Sequence, residues 1–198
     1  MDNKRTINSH SSKSSNNPVY SLCQYNCSHE NTYNDGYTNI TESSGDALSV
    51  DYYLYKYVNF DKVDTDNLAQ HIFNALKSID VVNNCDCISS IPSACNIKLQ
   101  RIIRKVAIYL DIPYVDILVK KAYIKIKETD ISNRKELSDI YTCNESIVSG
   151  NNLLLLDDFV ESGTTFKQCE QVIKETYPNL NIHKIAIFRT HNTPEELE

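Results

Sequence analysis

The chain has 198 residues, a formal net charge of −6 and 41% hydrophobic residues, which is enough apolar material for one packed domain. No run approaches the roughly 18 apolar residues that cross a bilayer, and the N-terminus lacks the apolar core of a secretory signal. The acidic balance argues against a broadly basic nucleic-acid surface. Seven cysteines without a secretory signal indicate reduced thiols, so we expect a cytoplasmic protein without a membrane partner.

Residues 1–47 form a polar segment rich in Ser, Asn, Thr and Tyr. Burial of so few aliphatic side chains cannot offset the entropy lost on ordering the segment. We therefore expect an extended tail over 1–47, pinned on a partner or on the body, and a domain over 48–198. Cys23, Cys27 and His29 supply one ligand fewer than a structural zinc site needs, so we expect no zinc in the tail.

The body alternates predicted strands and helices. A β-branched and aromatic run predicts a strand over 50–58, and Asp64 or Thr65 can cap a helix that continues through Leu76. The later predictions are a strand over 85–91, a helix over 97–110 ended by Asp111 and Pro113, a strand over 114–119, a short helix from Ser132, a strand over 153–156, a helix over 164–176 and a strand over 182–188. This alternation indicates an α/β fold, with a doubly wound, mostly parallel sheet flanked by helices.

The strongest chemical signal is the segment 152–165, with the sequence NLLLLDDFVESGTT. An apolar strand leads into Asp157 and Asp158, and a short turn containing Gly163 precedes a helix. Free backbone N–H groups and hydroxyls at a helix N-terminus favour a phosphate group. These groups would come from Ser162, Gly163, Thr164 and Thr165. The two acids suit ribose hydroxyls, directly or through a divalent ion, so the segment fits a ribose 5-phosphate. The alternative is an ordinary strand–turn–helix unit with an aspartate cap.

The segment 153–165 resembles the phosphoribosyl pyrophosphate (PRPP) motif of type I phosphoribosyltransferases. That motif has four apolar residues, two acids, two apolar residues and a hydroxyl-rich loop with Gly and Thr. The resemblance implies that Asp157 and Asp158 lie by the ribose hydroxyls, with Mg²⁺ held through ribose or water, and that residues 161–165 surround the 5-phosphate. Glu161 matches an acid of the purine-salvage members, which makes it a candidate general base; the alternative is a solvent-facing loop carboxylate.

Within that family the order of features is most similar to the ComF-like branch. The similarity rests on Tyr55-Lys56-Tyr57, Ser90-Ile91-Pro92 and the turn at 110–113. Two departures matter: the four-cysteine zinc module of that branch is missing, and the expected pyrophosphate loop at 89–94 contains no Lys or Arg. The pyrophosphate-binding candidates are Ser90, Ser93, Ala94, Lys120, Lys121 and Arg134, of which the three basic residues could equally form a solvated charged face.

The resemblance implies an Mg²⁺-dependent transfer of phosphoribose from PRPP to a nitrogen acceptor, with release of pyrophosphate. Of the catalytic candidates, Asp157 and Asp158 would stabilise the positive charge that develops on the ribose, and Glu161 would act as a general base or orient the acceptor N–H. The missing loop cation leaves open a catalytically weak module that binds PRPP or a nucleotide and serves regulation or DNA uptake. A defence or toxin effector acting on RNA or protein is the other open alternative. Many such sheets pair, so a homodimer is also open.

Overall fold

Strands and helices alternate along the chain in the computed structural model, which describes residues 19–24, 27–34, 37–45, 52, 55–56, 64–92, 97–121, 140–145, 148 and 150–189. The strands are β1 (Val19–Gln24), β2 (Cys27–Asn34), β3 (Tyr37–Gly45), β4 (Cys87–Ser90), β5 (Leu118–Lys120), β6 (Tyr141–Cys143), β7 (Asn152–Val160) and β8 (Asn181–Arg189). The helices are α1 (Thr65–Lys77), α2 (Ile97–Leu110) and α3 (Thr164–Thr176), and a 3-10 helix spans Asp80–Asn84.

The central sheet has the strand order β1-β8-β7-β4, and every neighbouring pair in it is parallel. Tyr114 extends the sheet beyond β4 through a single parallel bridge to Ile88. Two antiparallel pairs, β2 with β3 and β5 with β6, lie outside this sheet. A parallel sheet needs cover on both faces, and the four consecutive buried leucines of β7 provide the apolar surface for it.

The two faces of the sheet carry separate apolar cores. Leu154 and Leu156 of β7 pack with the buried faces of α1 and α2. Leu153 and Leu155 point the other way and pack with the buried residues of α3. Helices therefore cover both faces, which confirms the predicted doubly wound α/β architecture. Among the described helices, none is long and apolar enough to cross a membrane.

The helices follow their local sequence signals. Asp64 caps α1 by accepting hydrogen bonds from the backbone N–H groups of Asp66 (2.9 Å) and Asn67 (3.1 Å). The bounds of α2 and α3 are those predicted from periodicity. Asp111, with a φ of 57°, ends α2 in the left-handed conformation just before Pro113. The strand predicted over 85–91 is confirmed as β4, and the strand predicted over 182–188 is confirmed as β8.

The predicted strand over 50–58 is wrong at each residue described there. Tyr52, Tyr55 and Lys56 have helical backbone, and both tyrosines are buried. Residues three or four positions apart share one face of a helix, whereas a strand would turn Tyr52 and Tyr55 to opposite faces. Burial of both rings on one side therefore overrides the strand propensity of this aromatic segment.

Two further expectations change at the ends of strands. The strand predicted over 153–156 continues to Val160, because its pairing with β8 persists through Asp157 with Ala186 and Phe159 with Phe188. The strand predicted over 114–119 is reduced to the bridge at Tyr114 and the short β5. Part of the expected tail is pinned on the body, since β1 pairs with β8. The helix predicted from Ser132 lies outside the described residues.

Candidate functional site

The order in which the chain fills the sheet reverses between β4 and β7, although the two strands are parallel. The connection after β4 runs through α2 to Tyr114 on one side, and the connection after β7 runs through α3 to β8 on the other. Their last paired residues are Ser90 and Leu156, and the backbone N–H of Ile91 donates to the Leu156 carbonyl at 2.8 Å. Open α/β sheets bind ligands at such a reversal, beyond the carboxyl ends of the strands.

The turn after β7 begins α3 with groups suited to an anion. Gly163 is the N-cap residue and has a φ of 74°, the left-handed conformation that glycine adopts without strain. The Ser162 and Thr164 hydroxyls lie 2.9 Å apart, and the Thr164 N–H is 3.4 Å from Ser162 Oγ. The first turn of α3 contains no acidic residue, so no carboxylate of that turn competes with an anion for the N–H groups that lack partners inside the helix.

Asp157 and Asp158 lie inside β7, and each is 8% exposed. Strand alternation turns the two carboxyl groups toward opposite faces of the sheet. Asp158 faces the side of α1 and α2, where its Oδ2 accepts a hydrogen bond from the Tyr52 hydroxyl at 3.0 Å and pairs with the Lys56 ammonium. Its Oδ1 accepts the N–H of Phe159 at 2.9 Å. Donors therefore engage both oxygens of Asp158.

Asp157 lies on the α3 side, where its carboxyl group is buried. Its Oδ1 accepts the N–H of Asp158 at 2.9 Å. Burial raises the pKa of Asp157 well above its usual range, and the neighbouring charge of Asp158 raises it further. Burial also raises the pKa values of Tyr141 and Cys169, and the charge of Asp157 adds to both shifts. The structure thus separates Asp157, whose pKa burial raises, from Asp158, whose two oxygens both accept hydrogen bonds.

Sequence reasoning missed the role of the segment that contains Tyr52 and Lys56. The Lys56 ammonium lies 4.7 Å from the centre of the Phe159 ring, in addition to its pairing with Asp158. Lys98, in the first turn of α2, donates to the backbone carbonyls of Tyr55 (2.8 Å) and Lys56 (3.0 Å). The only sequence signal was the Tyr-Lys-Tyr triplet at 55–57, which carries no information about a partner 102 residues away.

The candidate pyrophosphate-binding residues differ in burial and in contacts. Ser90 is buried, and its hydroxyl lies 2.9 Å from the Tyr114 hydroxyl, so it forms a link between neighbouring strands. Lys120 lies 6.0 Å from the centre of the Tyr141 ring, and Lys121 is exposed. Ser93, Ala94 and Arg134 fall outside the described residues. Of the phosphate-loop candidates, Glu161 and Ser162 are exposed on the turn, and Thr165 is partly exposed in α3.

The described carboxylates do not form a metal cage of their own. Over the described part of the chain, no group of three or more His, Cys, Asp or Glu side chains could hold a metal ion. Asp157 is buried, and Lys56 and Tyr52 engage the outward oxygen of Asp158. These two acids therefore offer no ready direct coordination to Mg²⁺, and an ion here would take its oxygen ligands from a bound phosphate and from water.

Comparison with known proteins finds similarity only among solved structures. No protein-family model matches the chain, and no curated protein matches it. The similar structures include an adenine phosphoribosyltransferase from Leishmania donovani (TM-score 0.44, 11% identity, covering 93% of this chain and 88% of that chain). They also include an orotate phosphoribosyltransferase from Aeropyrum pernix (0.44, 9%, 84% and 77%) and a hypoxanthine phosphoribosyltransferase from Staphylococcus aureus (0.39, 14%, 66% and 65%).

These neighbours are type I phosphoribosyltransferases. Their TM-scores lie below 0.5 and their identities below 25%, so the similarity carries no conclusion about the chemistry of this chain. The case for a function therefore rests on the residues at the carboxyl end of β7.

Proposed function

We propose that the protein binds PRPP and transfers its phosphoribosyl group to a nitrogen acceptor, with release of pyrophosphate. One observation carries the proposal: two acids near the carboxyl end of β7 precede a three-residue turn that opens α3 through the left-handed Gly163, where the order in which the chain fills the sheet reverses. An anion site next to hydroxyl-binding carboxylates fits a ribose 5-phosphate. The resemblance of 153–165 to the PRPP motif indicates that the ligand is ribose 5-phosphate with a pyrophosphate on C1, which is PRPP.

In this proposal each part of the site has one task. The N–H groups and hydroxyls of 162–165 hold the 5-phosphate at the positive end of α3. Asp158 accepts the ribose hydroxyls and stabilises the positive charge that develops on the ring as pyrophosphate leaves. Glu161, exposed beside the phosphate loop, orients or deprotonates the acceptor nitrogen. Mg²⁺, bound to the phosphates of PRPP, would supply charge neutralisation of the leaving group.

The donors that now engage Asp158 are compatible with a sugar ligand. The Tyr52 hydroxyl donates to Oδ2 as a ribose hydroxyl would, so binding exchanges one O–H donor for another. The buried Tyr52 hydroxyl must find another acceptor in the exchange, because a buried hydroxyl without a partner costs about 1–3 kcal/mol. The acceptor remains unspecified, and both a free nucleobase and a group on RNA or protein are compatible with this proposal.

A second candidate is a PRPP-binding module without turnover. The part of the pyrophosphate loop that the structure describes, 89–92, contains no cation, and the occupied state of Asp158 favours a site that senses rather than reacts. Regulation of a partner or a role in DNA uptake, as in the ComF-like branch, would then follow. Pyrophosphate release is measured with a panel of nitrogen bases. It separates the two candidates, because a sensor binds PRPP without releasing pyrophosphate.

Calorimetric titration with Mg²⁺ and PRPP tests the proposed ligand. We expect saturable binding by the wild-type chain and none by the double variant Asp157→Asn with Asp158→Asn. Asp116→Asn is the matched control, because Asp116 is a half-exposed acid paired with Arg104 at 2.6 Å. Wild-type affinity in the double variant would exclude the acids from the site, and absence of binding by the wild type would refute the proposal itself.

A further inference from the structure

We infer that Lys56 is a specificity-determining residue, which recognises the pyrophosphate on C1 of the sugar and distinguishes PRPP from ribose 5-phosphate. This inference rests on the proposed function and assigns to it a residue from a different part of the chain. Neither the PRPP-like motif nor the loop at 89–94 contains Lys56.

The backbone of Lys56 is fixed at the beginning of α2, the helix that follows β4. Lys98 donates to the carbonyls of Tyr55 and Lys56, and the Tyr55 hydroxyl returns a hydrogen bond of 3.0 Å to the Lys98 carbonyl. Lys98 belongs to the first turn of α2, which directly follows the loop expected to hold pyrophosphate. Three hydrogen bonds therefore hold this backbone at the N-terminal end of α2.

The side chain of Lys56 crosses from that position to the β7 side. Its ammonium pairs with Asp158 Oδ2 and lies over the Phe159 ring. The side chain is 21% exposed, so solvent and a ligand can reach it. Lys56 thus connects the beginning of α2 with the acid proposed to bind the sugar hydroxyls.

The chemistry of PRPP matches this juxtaposition. The pyrophosphate oxygen on C1 is adjacent to the C2 hydroxyl, so a carboxylate that binds the ring hydroxyls has the pyrophosphate as its nearest neighbour. The Lys56 ammonium already pairs with the Asp158 carboxylate, so rotation of its flexible four-carbon side chain brings it to a phosphate oxygen. Ribose 5-phosphate lacks the pyrophosphate and gives Lys56 nothing to bind.

Two nearby cations have other partners. Lys98 is committed to backbone carbonyls, and the 2%-exposed Lys184 pairs with Glu170 at 2.6 Å on the other face of the sheet. The described part of the pyrophosphate loop supplies no Lys or Arg. Lys56 is therefore the lysine that the fold brings to Asp158, and a multiply charged pyrophosphate attracts an ammonium more strongly than one carboxylate does.

The test compares two ligands in a set of matched variants. Lys56→Met removes the ammonium but keeps the apolar stem, Lys56→Arg keeps the charge, and Lys105→Met is the control, because Lys105 pairs with Asp66 at 2.7 Å on the surface. Titration with PRPP and with ribose 5-phosphate is measured for each variant. We expect Lys56→Met to weaken PRPP binding by about 10- to 100-fold, the typical effect of losing a charge-assisted hydrogen bond.

Under the same conditions Lys56→Met should lose much less affinity for ribose 5-phosphate than for PRPP, because loss of the ion pair with Asp158 affects both ligands, whereas loss of the pyrophosphate contact affects PRPP alone. Lys56→Arg should retain most of the preference for PRPP, and Lys105→Met all of it. A variant that merely damaged the site would weaken both ligands equally, and that outcome would overturn the inference. Tighter PRPP binding by Lys56→Met would also overturn it, since Lys56 would then only block Asp158.

The inference and the proposed function fail in different ways. If the wild type binds PRPP and Lys56→Met retains its preference for PRPP over ribose 5-phosphate, only the inference is wrong. If the wild type binds neither ligand, the proposed function is wrong. If Lys56→Met does not fold, Lys56→Gln with competition by inorganic pyrophosphate gives the same comparison, because Gln keeps a hydrogen-bond donor to Asp158.

Discussion

Two glycines at opposite ends of β7 allow the proposed phosphate site to be tested apart from the stability of the fold. Gly163, with a φ of 74°, follows the strand and opens α3, and Gly150, with a φ of 110°, precedes the strand. We expect Gly163→Ala to impair ligand binding while costing little stability. Gly150→Ala should do the reverse.

The surroundings of the two glycines give the magnitudes. A Cβ at Gly163 would meet only Val19 Cγ2 at 3.9 Å, so Gly163→Ala adds no clash and costs about 1–2 kcal/mol of backbone strain. A Cβ at Gly150 would lie 2.4 Å from Asp86 Cβ. Overpacking of that kind adds about 1–3 kcal/mol to the strain, so we expect a total loss of about 2–5 kcal/mol.

The binding effects follow from what each turn holds. In Gly163→Ala, relief of the backbone strain rotates the N–H groups of the α3 N-terminus away from the phosphate. Loss of one such charge-assisted hydrogen bond weakens the binding of ribose 5-phosphate about tenfold or more. Gly150 lies beside Asp86, whose Oδ2 accepts the N–H groups of Asn151 (2.7 Å) and Asn152 (2.9 Å) at the other end of the strand. Folded Gly150→Ala protein should therefore bind ribose 5-phosphate with nearly wild-type affinity.

Urea unfolding gives the free energy of unfolding, and titration of the folded fraction with ribose 5-phosphate gives the affinity. The expected pattern is a large affinity loss with a small stability loss in Gly163→Ala, and the opposite in Gly150→Ala. Equal affinity losses in both variants would refute the placement of the phosphate at the α3 N-terminus. A stability loss in Gly163→Ala greater than that in Gly150→Ala would refute the clash argument.

Three further predictions use buried polar groups. The folded-state pKa of Asp157 is raised above the unfolded value of 3.8, so wild-type stability falls as pH rises from about 3.8 through the folded pKa. Asp157→Asn removes this loss. In thermal melts the variant should therefore be more stable than the wild type at pH 7 and show a flatter dependence on pH. A melting temperature at pH 7 below that of the wild type would contradict this. Glu170→Leu strands the buried Lys184 ammonium and should cost about 3–5 kcal/mol, whereas Lys184→Met should change stability by less than about 1.5 kcal/mol; equal losses in urea unfolding would contradict the difference. Tyr52→Phe removes one donor from Asp158 and should destabilise by about 1 kcal/mol, and an unchanged urea midpoint would mean that the hydrogen bond contributes nothing.

Local signals predicted much of the architecture. The bounds of α2 and α3 followed from apolar spacing, and the cap of α1 followed from Asp64, because these signals depend on residues within one or two helical turns. The strand–turn–helix unit around Gly163 was predictable for the same reason. The strand predicted over 50–58 failed, because aromatic residues suit both states and long-range burial made the choice.

The candidate site divides in the same way. Sequence alone identified the turn that we propose to bind an anion and the two acids that precede it, because strand, glycine and helix signals are all local there. Only the tertiary structure decided that the acids point to opposite faces and that Tyr52, 106 residues away, and Lys56 meet Asp158. Those contacts depend on how far β7 stays paired with β8 and on how the segment around Lys56 packs against α2. Neither the extent of that pairing nor that packing can be read from a pattern of neighbouring residues.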